Sequence, residues 1–183
     1  MIFERAEISD LVIIQPKLFK DERGYFSESY KDKELNNFLG YNVNFCQENQ
    51  SKSNFGVLRG LHYQIEPFSQ AKLVRVIKGK VLDVAVDLRK DSKTYGKHLS
   101  IVLSDENKKQ VFIPKGFAHG FLVLSKKAIF SYKVDNYYNK ISERGIAFND
   151  IDLNINWTLK YSEIKVSEKD KNNPFLKDYE IKT

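Results

Sequence analysis

Short strands dominate the hydrophobic pattern of this chain between about residues 57 and 135. The clearest is segment 82–89, LDVAVDLR, in which apolar residues occupy every second position, so it predicts a strand with one apolar and one mixed face. Similar runs cover 72–77, 99–103, 110–113, 117–123 and 129–134, and Gly79-Lys80 predicts a hairpin turn. Several short strands separated by turns at close spacing predict a mainly β fold, here a jelly-roll-like barrel with a few short helices.

The first forty residues predict three different elements. Segment 11–19 is apolar and extended, and Pro16 inside it favours an edge strand. Residues 21–24, DERG, predict a turn. Segment 31–40, KDKELNNFLG, places its apolar residues on one face and ends in glycine, which predicts a helix.

The chain beyond Asn154 is more polar, with a short helical turn predicted within 167–178 and Ser167 as its N-cap. Internal repeats and low-complexity linkers are absent from the sequence. We therefore expect one domain over residues 1–183, with N-terminal strands at about 1–30 and a C-terminal extension at about 155–183.

Composition narrows the function classes. The 183 residues are 42% hydrophobic and 30% charged, which excludes a disordered or disulfide-scaffold protein. The single Cys46 cannot form an internal disulfide, and neither a signal peptide nor an apolar run of membrane-spanning length is present, so we expect a cytoplasmic protein with no membrane contact. The net charge of +6 comes from dispersed lysines without a nucleic-acid motif, and it favours an anionic small ligand such as a nucleotide over nucleic acid.

Two of the three histidines lie beside glycines on predicted strands. His62 is in GVLRGLHYQ and His119 is in IPKGFAHGF, and glycine in a strand often marks a bulge or a close approach. With cations nearby, such histidines are candidates for acid–base work on an anionic ligand, although single residues of this kind are more often structural histidines. Strict alternation places Arg59 and His62 on opposite faces, unless Gly60 allows a bulge or a neighbouring subunit supplies the cation.

The remaining candidates have two interpretations each. Asp170 either supports the start of a helix after Ser167 or orients a catalytic histidine. Tyr132 is either a packing aromatic or a proton donor. Metal binding is disfavoured because no H-x-H pair is present and the third histidine, His98, is poorly placed; a metal-dependent barrel oxygenase is disfavoured for the same reason.

Longer motifs resemble the dTDP-4-dehydrorhamnose 3,5-epimerase family. They cover about residues 11–174 in the order KLFKDERGYFSESY, CQENQSKSNFGVLRGLHYQ, QAKLVRVIKGKVLDVAVDLR, TYGKHLSIVLSDENKKQVFIPKGFAHGFLVLS, YKVDNYYNKISERGIAFND and SEKD. The resemblance implies a cupin-like jelly-roll barrel and a cofactor-independent, metal-free epimerase that inverts C3 and C5 of a nucleotide-linked 4-keto-6-deoxy sugar through an enolate. It implies that His62 is the base, Asp170 its orienting partner, Lys72 the group that stabilises the enolate oxygen, and Tyr132 the acid.

The same resemblance implies a binding site and an assembly. Arg23 and Arg59 would hold the diphosphate, and the other nucleotide and sugar contacts would be Phe19, Glu28, Gln47, Asn49, His119 and Tyr138. It also implies a homodimer in which the N-terminal strand region reaches the neighbouring subunit.

Some positions depart from the family pattern. Gln47 is followed by Glu-Asn-Gln rather than Asp-Asn-His, Lys140 replaces the usual proline after the double tyrosine, and His98-Leu99 replaces a more usual tryptophan region. Three alternatives therefore stay open: inversion at C3 only or C5 only, a GDP-linked 4-keto-6-deoxy-heptose as substrate in surface-polysaccharide synthesis, and a sugar-nucleotide-binding barrel without catalysis. Retention of both His62 and Tyr132 disfavours the last of these, because binding alone requires neither an acid nor a base.

Overall fold

Two antiparallel sheets face each other in the computed structural model, which describes residues 1–8 and 10–178. The strands are β1 Ile2–Arg5, β2 Val12–Gln15, β3 Phe19–Asp21, β4 Gly24–Phe26, β5 Gln47–Asn54, β6 Leu58–Gln64, β7 Lys72–Lys78, β8 Lys80–Asp87, β9 His98–Ser104, β10 Gln110–Ile113, β11 Phe117–Val123, β12 Lys127–Val134 and β13 Glu143–Gly145. One sheet has the strand order β1-β2-β10-β7-β12-β5, the other β13-β6-β11-β8-β9, and β3-β4 is a separate hairpin. The predicted jelly-roll-like barrel is confirmed.

The barrel interior lies between the two sheets. Phe121 of the five-stranded sheet stacks on Phe130 of the six-stranded sheet with ring centroids 4.1 Å apart, at the centre of a buried apolar cluster drawn from both sheets. Strand β8 is buried on both faces: Leu82 and its alternating neighbours pack into a second cluster outside the barrel, while Val81 and Ala85 face the interior. The mixed face of β8, which carries Asp83 and Asp87, is therefore the interior face.

Helices are few and short. Helix α1 spans Asp32–Leu39 and ends at Gly40, whose φ of 82° suits glycine, as the sequence predicts. Helix α2 spans Glu168–Lys171, and the Ser167 hydroxyl accepts a hydrogen bond from the Asp170 N–H, which confirms the predicted cap. No helix in residues 1–8 or 10–178 has the length and apolar content to cross a membrane.

Two local predictions are wrong. Gly79-Lys80 does not form a hairpin turn, because the chain passes there from one sheet to the other: β7 pairs with β10 and β12, whereas β8 pairs with β9 and β11. The strand predicted over 11–19 is β2, which ends at Gln15, before Pro16, and pairs with β1 on one side and β10 on the other. It is an interior strand rather than an edge strand, because the proline that cannot donate to a ladder lies just outside it.

The segment after Asn154 packs against the five-stranded sheet. Ile155 and Trp157 are buried in the outer apolar cluster, and Lys165 forms a β-bridge with Val57. This brings α2 next to β6, the strand of His62. Residues 179–183 of the expected C-terminal extension lie outside the described residues.

Candidate active site

A bulge in β6 brings Arg59 and His62 to the same cavity. In the pairing of β6 with β11, His62 lies opposite His119 and Arg59 lies opposite Phe121, so three steps on β6 match two steps on β11. The extra residue requires a close approach at Gly60, where an added Cβ would lie 2.5 Å from the Cα atom of Gly120. The bulge expected at the glycine between Arg59 and His62 is therefore present, and both side chains line one cavity.

His62 is paired with Asp170 across 108 residues of sequence. The Nε2 atom of His62 lies 2.6 Å from Oδ1 of Asp170, and Oδ2 accepts a hydrogen bond from the Gly60 N–H. Burial opposes ionisation of Asp170, but the hydrogen bond and charge of His62 outweigh it and hold the pKa of Asp170 below its usual value. An ionised Asp170 accepts a hydrogen bond from the Nε2–H group of His62, which fixes the tautomer and leaves the Nδ1 lone pair available as a base.

Lys72 and Tyr132 lie on neighbouring strands of the opposite sheet. Lys72 begins β7, Tyr132 lies on β12, and both line the cavity. The Lys72 ammonium reaches across and donates to the His62 carbonyl oxygen at 3.2 Å. Burial lowers the pKa of Lys72 to about 8, against the opposing charges of Asp83 and Glu143. Burial raises the pKa of Tyr132, only partly offset by Asn49 and Arg59, so the phenol keeps its proton at neutral pH.

A second histidine–aspartate pair lies beside the first. His119 is directly opposite His62 in the strand pairing, lines the cavity, and places Nε2 2.8 Å from Oδ2 of Asp83. Both members are buried, and the His119 ring stacks on Phe130. Asp83 lies behind the cavity wall and reaches the cavity only through its neighbours.

The cavity has a volume of about 470 Å³, within the range of small-molecule sites. Its wall carries the cationic side chains of Arg59, Lys72, Lys165 and Lys169 against the carboxylates of Glu143 and Asp170. This balance suits an anionic ligand. Within residues 1–8 and 10–178, no group of three or more His, Cys, Asp or Glu side chains is arranged to hold a metal ion.

The twelve residues named from the sequence divide into three groups: seven that line the cavity, Gln47 and Asn49 on the neighbouring strand β5, and three that lie elsewhere. Seven of them line this cavity: Arg59, His62, Lys72, His119, Tyr132, Tyr138 and Asp170. Asn49 lies directly opposite Tyr132 in the pairing of β5 with β12 and accepts a hydrogen bond from the Gln47 amide at 2.7 Å.

The other three residues lie away from the cavity of their own chain. Phe19 and Arg23 belong to the exposed β3–β4 hairpin, where the Arg23 side chain is 85% exposed and pairs with Asp21. Glu28 forms an ion pair with Lys31 at 2.7 Å. The structure therefore does not bring these three residues to the catalytic candidates within one subunit.

Sequence reasoning missed a polar chain at the cavity mouth. The Tyr138 hydroxyl donates to Glu143 at 2.9 Å, and Glu143 forms an ion pair with Lys169 at 2.5 Å. The loop that carries Tyr138 is held by Gln64, whose amide donates to the carbonyl oxygens of Phe68 and Tyr137 and accepts from the Asn139 N–H. Glu143 and Lys169 lie inside motifs already recognised, and Lys169 is adjacent to Asp170; this proximity was the available signal.

Comparisons with known proteins identify the family of this chain. The sequence profile of the dTDP-4-dehydrorhamnose 3,5-epimerase family matches residues 5–178. The dTDP-4-dehydrorhamnose 3,5-epimerase of Shigella flexneri is 50% identical over 177 residues, 97% of this chain and 91% of that protein. The crystal structure of the enzyme of that name from Elizabethkingia anophelis NUHP1 superposes with a TM-score of 0.94 at 52% identity, covering 97% of each chain.

A further solved structure contains a ligand. The dTDP-6-deoxy-D-glucose-3,5-epimerase of Legionella pneumophila Philadelphia 1, crystallised in complex with dTDP-4-keto-L-rhamnose, superposes with a TM-score of 0.92 at 46% identity and covers 96% of this chain and 93% of that one. The resemblance read from the motifs is confirmed: the chain belongs to the dTDP-4-dehydrorhamnose 3,5-epimerase family.

Proposed function

We propose that this chain epimerises C3 and C5 of a dTDP-linked 4-keto-6-deoxy-hexose. The observation that carries the proposal is the placement of His62 and Tyr132 on opposite sheets of one cavity. Inversion requires a proton to leave one face of a carbon and another to arrive on the opposite face. A base and an acid on facing walls meet that requirement without moving the sugar between the two steps.

The chemistry begins with the ketone of the substrate. The carbonyl at C4 makes the neighbouring C–H groups acidic, so the His62 Nδ1 atom takes the proton from C3 or C5 while the C–H electron pair forms a C=C bond to C4. The negative charge settles on the 4-oxygen, where the Lys72 ammonium stabilises it. Tyr132 then donates its proton to the opposite face of the carbon, and solvent returns a proton to Tyr132 and accepts one from His62. These side chains and the substrate's own ketone complete the reaction, so the proposed enzyme uses no cofactor.

The nucleotide is proposed to bind at the cavity mouth. Arg59 and Arg23 suit the diphosphate because a guanidinium fork matches phosphate oxygens. Phe19, Glu28, Gln47, Asn49, His119 and Tyr138 are proposed as the remaining nucleotide and sugar contacts.

Because Phe19, Arg23 and Glu28 lie away from the cavity of their own chain, we propose a homodimer in which the 1–30 region of one subunit completes the site of the other. The exposed Tyr25 and Phe26 of the same hairpin are apolar surface that such an interface would cover. Light scattering should give twice the mass of one chain; a monomer under conditions of full activity would contradict the shared site. The whole chain, 1–183, is proposed to act as one unit, and the unpaired Cys46 supports a cytoplasmic location.

Deuterium exchange tests the function directly. The protein is incubated with dTDP-4-keto-6-deoxyglucose in D₂O, and the sugar is read by mass and proton spectra. Deuterium and inversion at both C3 and C5 are expected. Deuterium at one carbon would reduce the activity to a single epimerase, and exchange only with a GDP-linked 4-keto-6-deoxy-heptose would change the substrate. Absence of exchange with either substrate by folded protein would refute epimerisation.

A further inference from the structure

A buried carboxylate behind the cavity wall has no part in the chemistry described so far. Asp83 is 1% exposed and points from the interior face of β8 into the barrel. Its carboxylate accepts the hydrogen bond from Nε2 of His119. Burying a charge this completely costs solvation free energy unless hydrogen-bond or ion-pair partners compensate for the lost hydration.

Geometry links Asp83 to the opposite sheet as well. Its partner His119 lies directly across from His62, and the carbonyl oxygen of His62 accepts from the Lys72 ammonium. Asp83 and Lys72 thus enter the barrel interior from facing sheets and bond to adjacent, paired residues. Among the charges that act on Lys72, those of Asp83 and Glu143 favour its protonated form, and burial opposes it.

We propose that Asp83 is a positioning residue: from behind the wall it holds the His119 ring and keeps the Lys72 side chain in its ammonium form, ready for the enolate oxygen. This inference rests on the proposed epimerase function. Lys72 faces several titratable groups: Asp83 on β8, Glu143 on β13, His62 and Arg59 on β6, His119 on β11 and Tyr132 on β12. Of the two carboxylates that favour the ammonium, Asp83 is the one shielded from solvent, so its charge is the less screened.

The Asp83→Asn substitution keeps the shape and removes the charge. Without that charge, burial acts on Lys72 with less opposition, so the ammonium should lose its proton at lower pH. An opposite charge nearby changes the pKa of a group by about one or more. The high-pH limb of kcat/KM, which reports the free enzyme, should therefore move down by about one unit, a roughly fivefold loss near pH 8. The dissociation constant of dTDP should stay unchanged.

The matched control is Asp87→Asn, which removes a second buried carboxylate from the same face of β8, away from the cavity. It should lower the stability of the fold and leave the high-pH limb of kcat/KM at its wild-type position. If the high-pH limb of Asp83→Asn coincides with that of the wild type, Asp83 is only structural and the inference is overturned. Should that variant fail to fold, Asp83→Ser, smaller and also uncharged, gives the same readout.

A second measurement separates this inference from the proposed function. Carbon-13 label at lysine Cε reports the titration of Lys72 by NMR in the ligand-free protein, with the signal assigned by its loss in Lys72→Met. A lower titration midpoint in Asp83→Asn supports the inference whether or not turnover is seen, and an unchanged midpoint overturns it. Absence of deuterium exchange by the wild-type protein would instead refute the epimerase function alone.

Discussion

Two regions of the barrel hold buried carboxylates for different purposes. Beside the cavity, Asp170 and Asp83 each bond to a histidine ring that also lines the cavity. Away from the cavity wall, Asp87 accepts five hydrogen bonds, from the Arg89 side chain and N–H, Ser92 and Thr94. Arg89 in turn covers the ring of Phe117 at 4.7 Å. Burial of a carboxylate therefore does not mark function by itself; what matters is whether its partner faces an open cavity.

The largest expected effect tests the cavity. In His62→Ala the proposed base is lost, so kcat should fall on the order of 10³-fold while the protein still folds, because His62 is only partly buried. Deuterium exchange should fall in parallel. The control is His98→Ala, which removes a histidine outside the cavity and should retain activity. Full turnover by His62→Ala would refute the base assignment.

The reverse pattern is expected away from the cavity. Asp87→Asn removes the buried charged partner of Arg89, which keeps only its ion pair with Asp10, and should lower the free energy of unfolding by about 3 kcal/mol, while kcat of the folded enzyme is retained. Burial alone would raise the pKa of Asp87, but its hydrogen bonds hold the pKa at about 2.

Because the folded-state pKa is depressed, the stabilisation from Asp87 is complete above about pH 4 and is lost as pH falls through about 2. Chemical denaturation from pH 7 to pH 2 measures this, with the exposed Asp91→Asn as control. An acid-dependent loss of the same size in Asp87→Asn would contradict the assignment.

Tyr132→Phe separates proton removal from proton delivery within the cavity. In the proposed mechanism His62 still removes the proton, but the proposed acid on the opposite face is gone, so inversion should fall about 10²-fold while deuterium still enters with retained configuration. The expected product is deuterated, unepimerised substrate. The control is Tyr95→Phe on an exposed loop. Inversion at the wild-type rate would show that another group delivers the proton.

The smallest expected effect concerns the hairpin. Arg23→Ala removes the proposed charge-assisted contact to the diphosphate and should weaken dTDP binding roughly tenfold, with kcat nearly unchanged. Calorimetric titration measures the change. Lys93→Ala, an equal charge loss at another exposed site, should bind like the wild type. Equal affinity of both variants would remove Arg23 from the nucleotide site.

Much of the fold was predictable because it depends on local order in the chain. The period-two runs predicted β7 to β12, Gly40 predicted the end of α1, and Ser167 predicted the cap of α2. The edge-strand prediction based on Pro16 was wrong, since a proline one residue beyond a strand places no restriction on the pairing of that strand.

The sequence by itself determined the strand pattern, the family and the identity of the candidate acid, base and cation. Only the tertiary structure decided which of them meet. Alternation along β8 separates an apolar from a mixed face but carries no information about which face another sheet will cover, so the sequence did not show that Asp83 is buried. The His62–Asp170 pair joins residues 108 positions apart, and it exists because the C-terminal segment packs α2 against β6. The bulge at Gly60 brings Arg59 and His62 to the same cavity, because one extra residue in a strand changes which side chains share a face.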